Sequence, residues 1–464
     1  MNNKYKELLS DTRIFALSNF ASKILLFLLV PFYTYKLSSS EFGIVELVIA
    51  LSNIIIPLAS FGIYEAVFRY SFDSNFSSDD ILCSFYQVFF LSCLIIGIGS
   101  SFFIAQYGRL LPLLFFFLSV STLLHTAYSL FIKARGSTKL FAIDSVLYSV
   151  ALVVMNILLL AIFNLGIIGY LSSILIANLI SISFLMCFGK APKFRISLRI
   201  NSKLPKMLSY SIPLIFNSIA WMIISYSDRF MVNFFLSASA VGLYSVASKI
   251  PSLLTTIFNI FNQAWSISAI KQFETNTMSK SFYASVFSSY NLLIIFSANS
   301  LLWIIKSFMK IYVSPEYYIA HVYVPILLLG GCFLGVVNFF GSILASGKDS
   351  KNVMLSSLFG SLMNISLNFI LIPKFGIMGA VFATAISYFA IAIYRFFVSR
   401  SIIRFDIKIY EMFFSYLLVS FQAILLSLQK DSIITFLLIT IILVLINFKE
   451  IRKIGLLILT KKSL

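Results

Sequence analysis

The sequence predicts an all-α polytopic membrane protein. About fourteen spanning helices should form two six-helix lobes related by a pseudo-two-fold axis, with two further helices at the C-terminal end. Three observations carry this expectation: composition, the spacing of apolar runs, and an internal repeat. Of 464 residues, 60% are hydrophobic and 11% charged, and the mean hydropathy is +0.97. Soluble domains are about 45–50% apolar and about 25% charged. A chain this apolar needs a bilayer to cover its surface.

A spanning helix requires roughly 20 mostly apolar residues. Runs of that kind fall at about 13–35, 43–65, 82–104, 110–132, 144–164, 167–188, 208–230, 241–265, 282–305, 322–345, 353–373, 377–399, 409–428 and 432–447. The last is the shortest. The first carries Lys23 and Pro31 with no small-residue cleavage site behind it, so no cleavable signal peptide is expected. No loop is long enough to hold a folded soluble domain.

The net charge is +18, yet Lys and Arg sit in short segments between apolar runs rather than on a basic face, so nucleic acid is not an expected partner. Their distribution sets orientation. With the N-terminus in the cytoplasm, 26 of the 35 Lys and Arg residues fall in cytoplasmic segments and 7 outside. Both termini are therefore expected in the cytoplasm. The most basic loop holds Lys190, Lys193, Arg195, Arg199, Lys203 and Lys206, which suits topology and attraction to anionic lipid headgroups.

The repeat is short but ordered. Leu37-Ser38-Ser39-Ser40-Glu41-Phe42-Gly43 returns as Leu236-Ser237-Ala238-Ser239-Ala240-Val241-Gly242, and Asn19 is echoed by Asn217. Gly166-Ile167-Ile168-Gly169 returns as Gly376-Ile377-Met378-Gly379, and Ala134-Arg135-Gly136 as Ala345-Ser346-Gly347. Runs 1–6 and 7–12 then form two copies of one unit. The expected divisions are an N-lobe over 1–190, a basic cytoplasmic linker over 191–207, a C-lobe over 208–400, and two further spans with a tail over 401–464. Parallel repeats of this type place a substrate site between lobes and work by alternating access.

Ionisable groups within spans are functional suspects because they are costly there. Lys23 and Lys249 lie inside runs 1 and 8, each either lining a polar cavity or snorkelling to an interface. Together they suit an anionic group such as a diphosphate, since ammonium groups bind phosphate as point charges. Arg69, just past run 2, belongs to a cavity or to the surface. Glu46, Glu65 and His125 are candidates for ion coupling, with interfacial or packing roles as the alternatives. Asp228 and Arg229 close run 7 either as a latch between lobes or as an interfacial ion pair. Asp144, at the start of run 5, fits a helix-dipole acid.

Pro31, Pro57, Pro112, Pro213, Pro251 and Pro325 lie in or near runs and are expected to kink them. Tyr33, Tyr35, Tyr317 and Tyr318 fit interfacial belts. Cys83, Cys93, Cys187 and Cys332 are read as small buried apolar residues, so neither a disulfide nor a metal site is expected. There is no GxxxxGK[ST] or HExxH motif. No cofactor is expected, and the energy source is left to a proton or sodium gradient, the substrate gradient or a partner.

Three regions of the chain carry a family resemblance. Phe15-Ala16-Leu17-Ser18-Asn19-Phe20-Ala21-Ser22-Lys23, with Leu29-Val30-Pro31-Phe32-Tyr33-Thr34, Leu37-Ser38 and Glu41-Phe42-Gly43, resembles the opening of Wzx-type O-antigen and polysaccharide flippases. Ser227-Asp228-Arg229-Phe230 with Val241-Gly242-Leu243-Tyr244 resembles that family's second half, and Phe375-Gly376-Ile377-Met378-Gly379-Ala380 its twelfth span. These flippases belong to the multidrug/oligosaccharidyl-lipid/polysaccharide exporter superfamily. The resemblance implies a MATE- and MurJ-like architecture in the bacterial inner membrane. It implies a transporter rather than an enzyme, moving undecaprenyl-diphosphate-linked oligosaccharide from the inner to the outer leaflet. Membrane lipids, a polysaccharide polymerase and a chain-length regulator would be its partners. In relatives that flip the peptidoglycan precursor, cationic cavity residues lie in helices comparable to those of Lys23 and Lys249. The alternatives are a cation-coupled drug exporter of the same fold, a flippase for peptidoglycan precursor or teichoic-type glycan, and a membrane polymerase or glycosyltransferase. The last would need a long outer loop.

Overall fold

A computed structural model describes residues 3–102, 104, 108–189, 201–274, 279–430 and 432–453. Lys190, Lys193, Arg195 and Arg199 of the basic linker, the tail from residue 454, and the side chains of Asn19 and Asn217 lie outside the described residues. Among the described residues every regular element is a helix.

The chain divides into two compact units, Met1–Met222 and Ile223–Leu464. The first holds α1 (Asn3–Lys36), α2 (Ser39–Ala59), α3 (Ile63–Tyr70), α4 (Ser78–Ser101), α5 (Leu110–Ala134), α6 (Thr138–Asn156, extended by a π-helical turn, Ile157–Ile162) and α7 (Gly166–Phe188). Helix α8 (Leu204–Phe235) starts in the first unit and ends in the second. The second continues with α9 (Ala238–Glu274), α10 (Lys280–Tyr312), a 3-10 segment (Pro315–Val322), α11 (Val324–Ser346), α12 (Ser350–Phe375), α13 (Ile377–Ser399), α14 (Ile409–Ser427) and α15 (Ile433–Ile446).

Among the described residues each apolar run falls largely on helix. Among the described residues, eleven helices are long and apolar enough to cross a membrane, and α8, bent by 45° between Leu204–Ile215 and Ser218–Phe235, makes a twelfth. The first run lies in α1. The fourteenth forms α15, whose 14 residues reach only about 21 Å against a hydrocarbon core of about 30 Å.

The repeated motifs have identifiable jobs. Ser38 caps α2: its hydroxyl accepts the Glu41 N–H, and the Glu41 carboxylate accepts the Ser38 N–H in return. Ser237 makes the serine half of that cap on α9, accepting the Ala240 N–H at 3.2 Å, with no carboxylate at Ala240 to return the bond. The Gly-x-x-Gly motifs make tight helix-to-helix turns. Gly166 and Gly376 both sit at positive φ, +54° and +61°, a conformation that costs other residues about 1 kcal/mol or more. The second glycine of each lets its helix press on the preceding backbone. A Cβ on Gly169 would lie 3.0 Å from the Leu159 carbonyl oxygen, and one on Gly379 only 2.3 Å from that of Leu371. The third motif slips by one residue. Gly136 takes the left-handed position after α5 at φ +77°, whereas after α11 that position falls to Lys348 at φ +58°. Gly347 is small because Ile402 packs where its Cβ would be.

Several expectations are corrected. The run at 43–65 is broken: α2 stops at Ala59 and α3 starts at Ile63. The Gly62 N–H bonds back to Pro57 and the Phe61 N–H to Leu58, a Schellman turn with Phe61 itself left-handed at φ +50°. The freed carbonyls are claimed by neighbours, Ala59 by the Ser92 hydroxyl at 3.0 Å and Phe61 by the Ser211 hydroxyl at 2.7 Å. Pro112 and Pro325 lie in the first turns of α5 and α11, where proline has no helix hydrogen bond to break, so neither is a kink. Tyr33 and Tyr317 are buried within the protein instead of at a belt, while Tyr35 is exposed. Of the cysteines only Cys332 is buried, and Cys187, near the end of α7, faces outward.

In the first unit, α5, α6 and α7 pack on one another, α1 lies along α6, and α3 and α4 cover α5. In the second, α11 is the most buried of the candidate spans. Its glycines let neighbours approach closely: Gly330 faces the Ala385 backbone of α13, and Gly331 faces Pro251 and Thr255 of α9. Helices α14 and α15 are peripheral. Lys408 ties the start of α14 to the segment after α15 through Glu411 at 3.2 Å and Glu450 at 3.1 Å.

Gly379→Ala should destabilise the protein more than Gly376→Ala, because the first forces backbone atoms apart while the second adds only backbone strain at φ +61° and ψ −141°, about 1–3 kcal/mol, with nothing for the new Cβ to meet. Thermal unfolding in detergent checks this ordering. A Gly379→Ala protein as stable as wild type would show that the α12–α13 contact is looser than described.

Candidate substrate and ion-coupling sites

In the first unit the polar groups converge on Asp144. It lies in the second turn of α6 and is 1% exposed. Its carboxylate accepts from the Ser181 hydroxyl of α7 at 2.5 Å and meets the His125 Nε2 of α5 at 3.0 Å. This replaces the helix-dipole reading of Asp144, since side chains of two other helices satisfy the acid. The His125 ring stacks on Tyr148, one turn beyond Asp144, at a centroid distance of 5.4 Å and 14° between planes. Along the same seam, the Asn178 amide donates to the hydroxyls of Ser121 and Thr122 at 3.2 and 3.0 Å. The seam thus holds a buried acid, a partly exposed imidazole and a row of hydroxyls, a set that can pass a proton.

Glu46 of α2 is 4% exposed and so is not interfacial. It lies in electrostatic reach of Tyr33 and Tyr170, whose rings are 4.5 Å apart. Glu65, in the first turn of α3, is half-buried within reach of Lys133, which also lies over the rings of Phe68 and Phe141. Arg69 is exposed at the far end of α3. It adds to the field that keeps the Asp73 carboxyl below its usual range, an effect owed first to the Asn75 backbone N–H. Lys23 is exposed on α1. Its neighbour Ser22 donates to the Ser145 carbonyl of α6 at 3.0 Å. Successive helical positions are about 100° apart, so this contact turns Lys23 away from α6.

The second unit has its own buried acid. Asp228 of α8 is 2% exposed and accepts from the Tyr244 hydroxyl of α9, from the Asn368 amide of α12 at 2.6 Å, and from the Thr384 hydroxyl of α13 at 2.5 Å. Four helices therefore meet at one carboxylate. Arg229 points elsewhere, donating to the Ser225 carbonyl and lying over the Tyr226 ring. The adjacency that suggested a latch is a property of the sequence only: Asp228 is turned into the unit's own core. Lys249 of α9 is partly exposed.

Arg395 was missed. The charge count groups it with the loop after run 12, yet it is 3% exposed inside α13. It donates to Ser356 and Ser357 of α12 and to the Val337 and Val353 carbonyls. Its signal was available, because residue 395 lies within the run at 377–399.

Among the described residues these features define a multi-pass helical membrane protein, with buried acids inside each unit and cations on its helices. The structure is similar to that of the lipid II flippase MurJ in its inward closed conformation, with a TM-score of 0.68 and 18% identity over 94% of this chain and 97% of that one. It is also similar to an inward-facing multidrug resistance MATE family transporter of the MOP superfamily, with a TM-score of 0.63 and 12% identity over 83% and 93%. A MATE protein in complex with MaL6 follows at a TM-score of 0.61 and 12% identity over 84% and 94%. At these identities the likeness establishes the fold. No curated protein matches by sequence. Residues 8–274, more than half of the chain, match the polysaccharide biosynthesis protein family, and the chain belongs to that family.

Asp228→Ala should cost about 3 kcal/mol, because it strands three buried donors, whereas Arg229→Ala should cost well under 1 kcal/mol. Equal losses in thermal unfolding would mean that Asp228 does not hold the four helices together.

Proposed function

We propose that this protein flips an undecaprenyl-diphosphate-linked oligosaccharide repeat unit from the inner to the outer leaflet of the bacterial cytoplasmic membrane by alternating access. The observation that carries the reading is the contrast between buried acids and accessible cations on spanning helices. Asp144 and Asp228 are buried inside their units, while Lys23 is exposed on α1 and Lys249 partly exposed on α9. A cation within a spanning helix is costly, and an anionic diphosphate offsets that cost. Membership of the polysaccharide biosynthesis family supports a glycan cargo. The likeness to a structure described as a lipid II flippase supports a lipid-linked one. Both termini lie in the cytoplasm in this reading, in keeping with the excess of Lys and Arg in the loops on that side.

The test is complementation of a strain lacking its own flippase for the same repeat unit, with surface polysaccharide as the readout. Lys23→Ala and Lys249→Ala should each lower export by about ten-fold or more, the loss of one charge-assisted contact, while the proteins stay folded. Wild-type levels from both variants would remove the cationic site from the account.

Coupling is assigned to the His125–Asp144 pair. His125→Ala and Asp144→Asn should leave slow export that no longer responds to collapse of the proton gradient. Undiminished sensitivity to an uncoupler in both variants would place coupling elsewhere.

A further inference from the structure

Helix α9 carries a polar face where a spanning helix would ordinarily meet lipid or a greasy core. Lys249, Ser252, Thr255, Asn259, Asn262 and Ser266 recur at intervals of three or four residues, the spacing of one helical face. Helix α11, packed along α9, completes the strip. The Asn338 amide donates to the Asn259 carbonyl oxygen at 3.2 Å, the Ser342 hydroxyl to the Asn262 carbonyl oxygen at 3.3 Å, and the hydroxyls of Ser266 and Ser342 are 2.7 Å apart.

Polar pairs between membrane helices often serve only to hold the helices together. Such glue is normally buried, and here Asn259 is exposed and Asn338 partly so. Their mutual bond uses the Asn259 oxygen and one Asn338 N–H. Among the described residues it leaves the Asn259 amide donors and the Asn338 carbonyl oxygen open. A donor and an acceptor side by side complement a pair of neighbouring sugar hydroxyls, each of which both donates and accepts. The strip is also held rigid from behind. Trp265 of α9 stacks on Phe339 of α11 at 4.6 Å and 3°, its indole N–H donates to the Phe339 carbonyl at 3.2 Å, and Phe261 stacks on Tyr290 at 4.4 Å. Rigid backing lowers the entropy lost when a ligand binds.

We propose that this strip on α9 and α11 is the saccharide-binding surface of the second unit, with the diphosphate at Lys249 and the sugars laid along the amides. The proposal rests on the flippase reading above. From Lys249 to Asn259 the axial rise is about 15 Å, and to Ser266 about 26 Å, a length suited to a few linked sugars rather than one. In the orientation set by the loop charges, the strip runs from Lys249 toward the cytoplasmic end of α9, the side on which the substrate is loaded.

The test uses purified full-length protein in vesicles and two probes, undecaprenyl diphosphate bearing a single sugar and the full repeat-unit lipid purified from the host that makes the protein. Asn259→Ala, Asn338→Ala and the double variant are compared with Lys249→Ala, and thermal unfolding confirms that each is folded. The strip predicts that the double variant moves the full repeat unit about ten-fold more slowly, the worth of one or two hydrogen bonds, while moving the single-sugar lipid at the wild-type rate. Lys249→Ala should slow both. If the double variant moves both lipids like wild type, or slows both equally, the strip does not read sugars. If the wild-type protein moves neither lipid, the flippase reading fails and takes the strip with it.

Discussion

In hydrocarbon, a polar group that finds no partner inside the protein finds none at all. This constraint shapes the break between α2 and α3 and the surroundings of the buried charges. The break between α2 and α3 survives because Ser92 and Ser211 take up the carbonyls it frees. The buried Arg395 survives because two serines and two carbonyls surround its guanidinium. Asp144 and Asp228 survive because hydroxyls, an amide and an imidazole from neighbouring helices close around them. Each solution joins several helices, so satisfying the polar groups also fixes which helices are neighbours.

Within that frame, small residues set how closely helices approach. Gly379 permits a backbone contact that no Cβ could share, and the glycines of α11 let α9 and α13 close on it from two sides. Burial of α11 follows from this, as does the peripheral position of α14 and α15, which present most of their apolar side chains outward.

The helices were legible because runs of about 20 apolar residues have few other outcomes. The repeats were legible because each encodes a local necessity: a serine cap at Ser38 and Ser237, and a positive-φ glycine followed by a contact glycine at Gly166–Gly169 and Gly376–Gly379. What stayed hidden depends on direction around a helix axis or on partners distant in sequence. Asp228 and Arg229 are adjacent in the chain and point to different places. Asp144 and His125 are 19 residues apart and meet. Asn259 and Asn338 are 79 apart and form one surface. The break after Ala59 was unread because the apolar run continues across it, although Gly62 joins Phe61 in the left-handed region there.

Taken together, accessible cations, sequestered acids and a rigid amide strip favour an anionic, glycan-bearing lipid over a cationic drug as cargo. The most direct measurement offers both to one preparation: vesicles containing the purified protein, with a labelled undecaprenyl-diphosphate sugar lipid and a cationic dye, each followed across the membrane. The account predicts that the lipid changes leaflet and the dye stays where it was placed. Dye transport without lipid movement would contradict it and make the protein a drug exporter on the same fold.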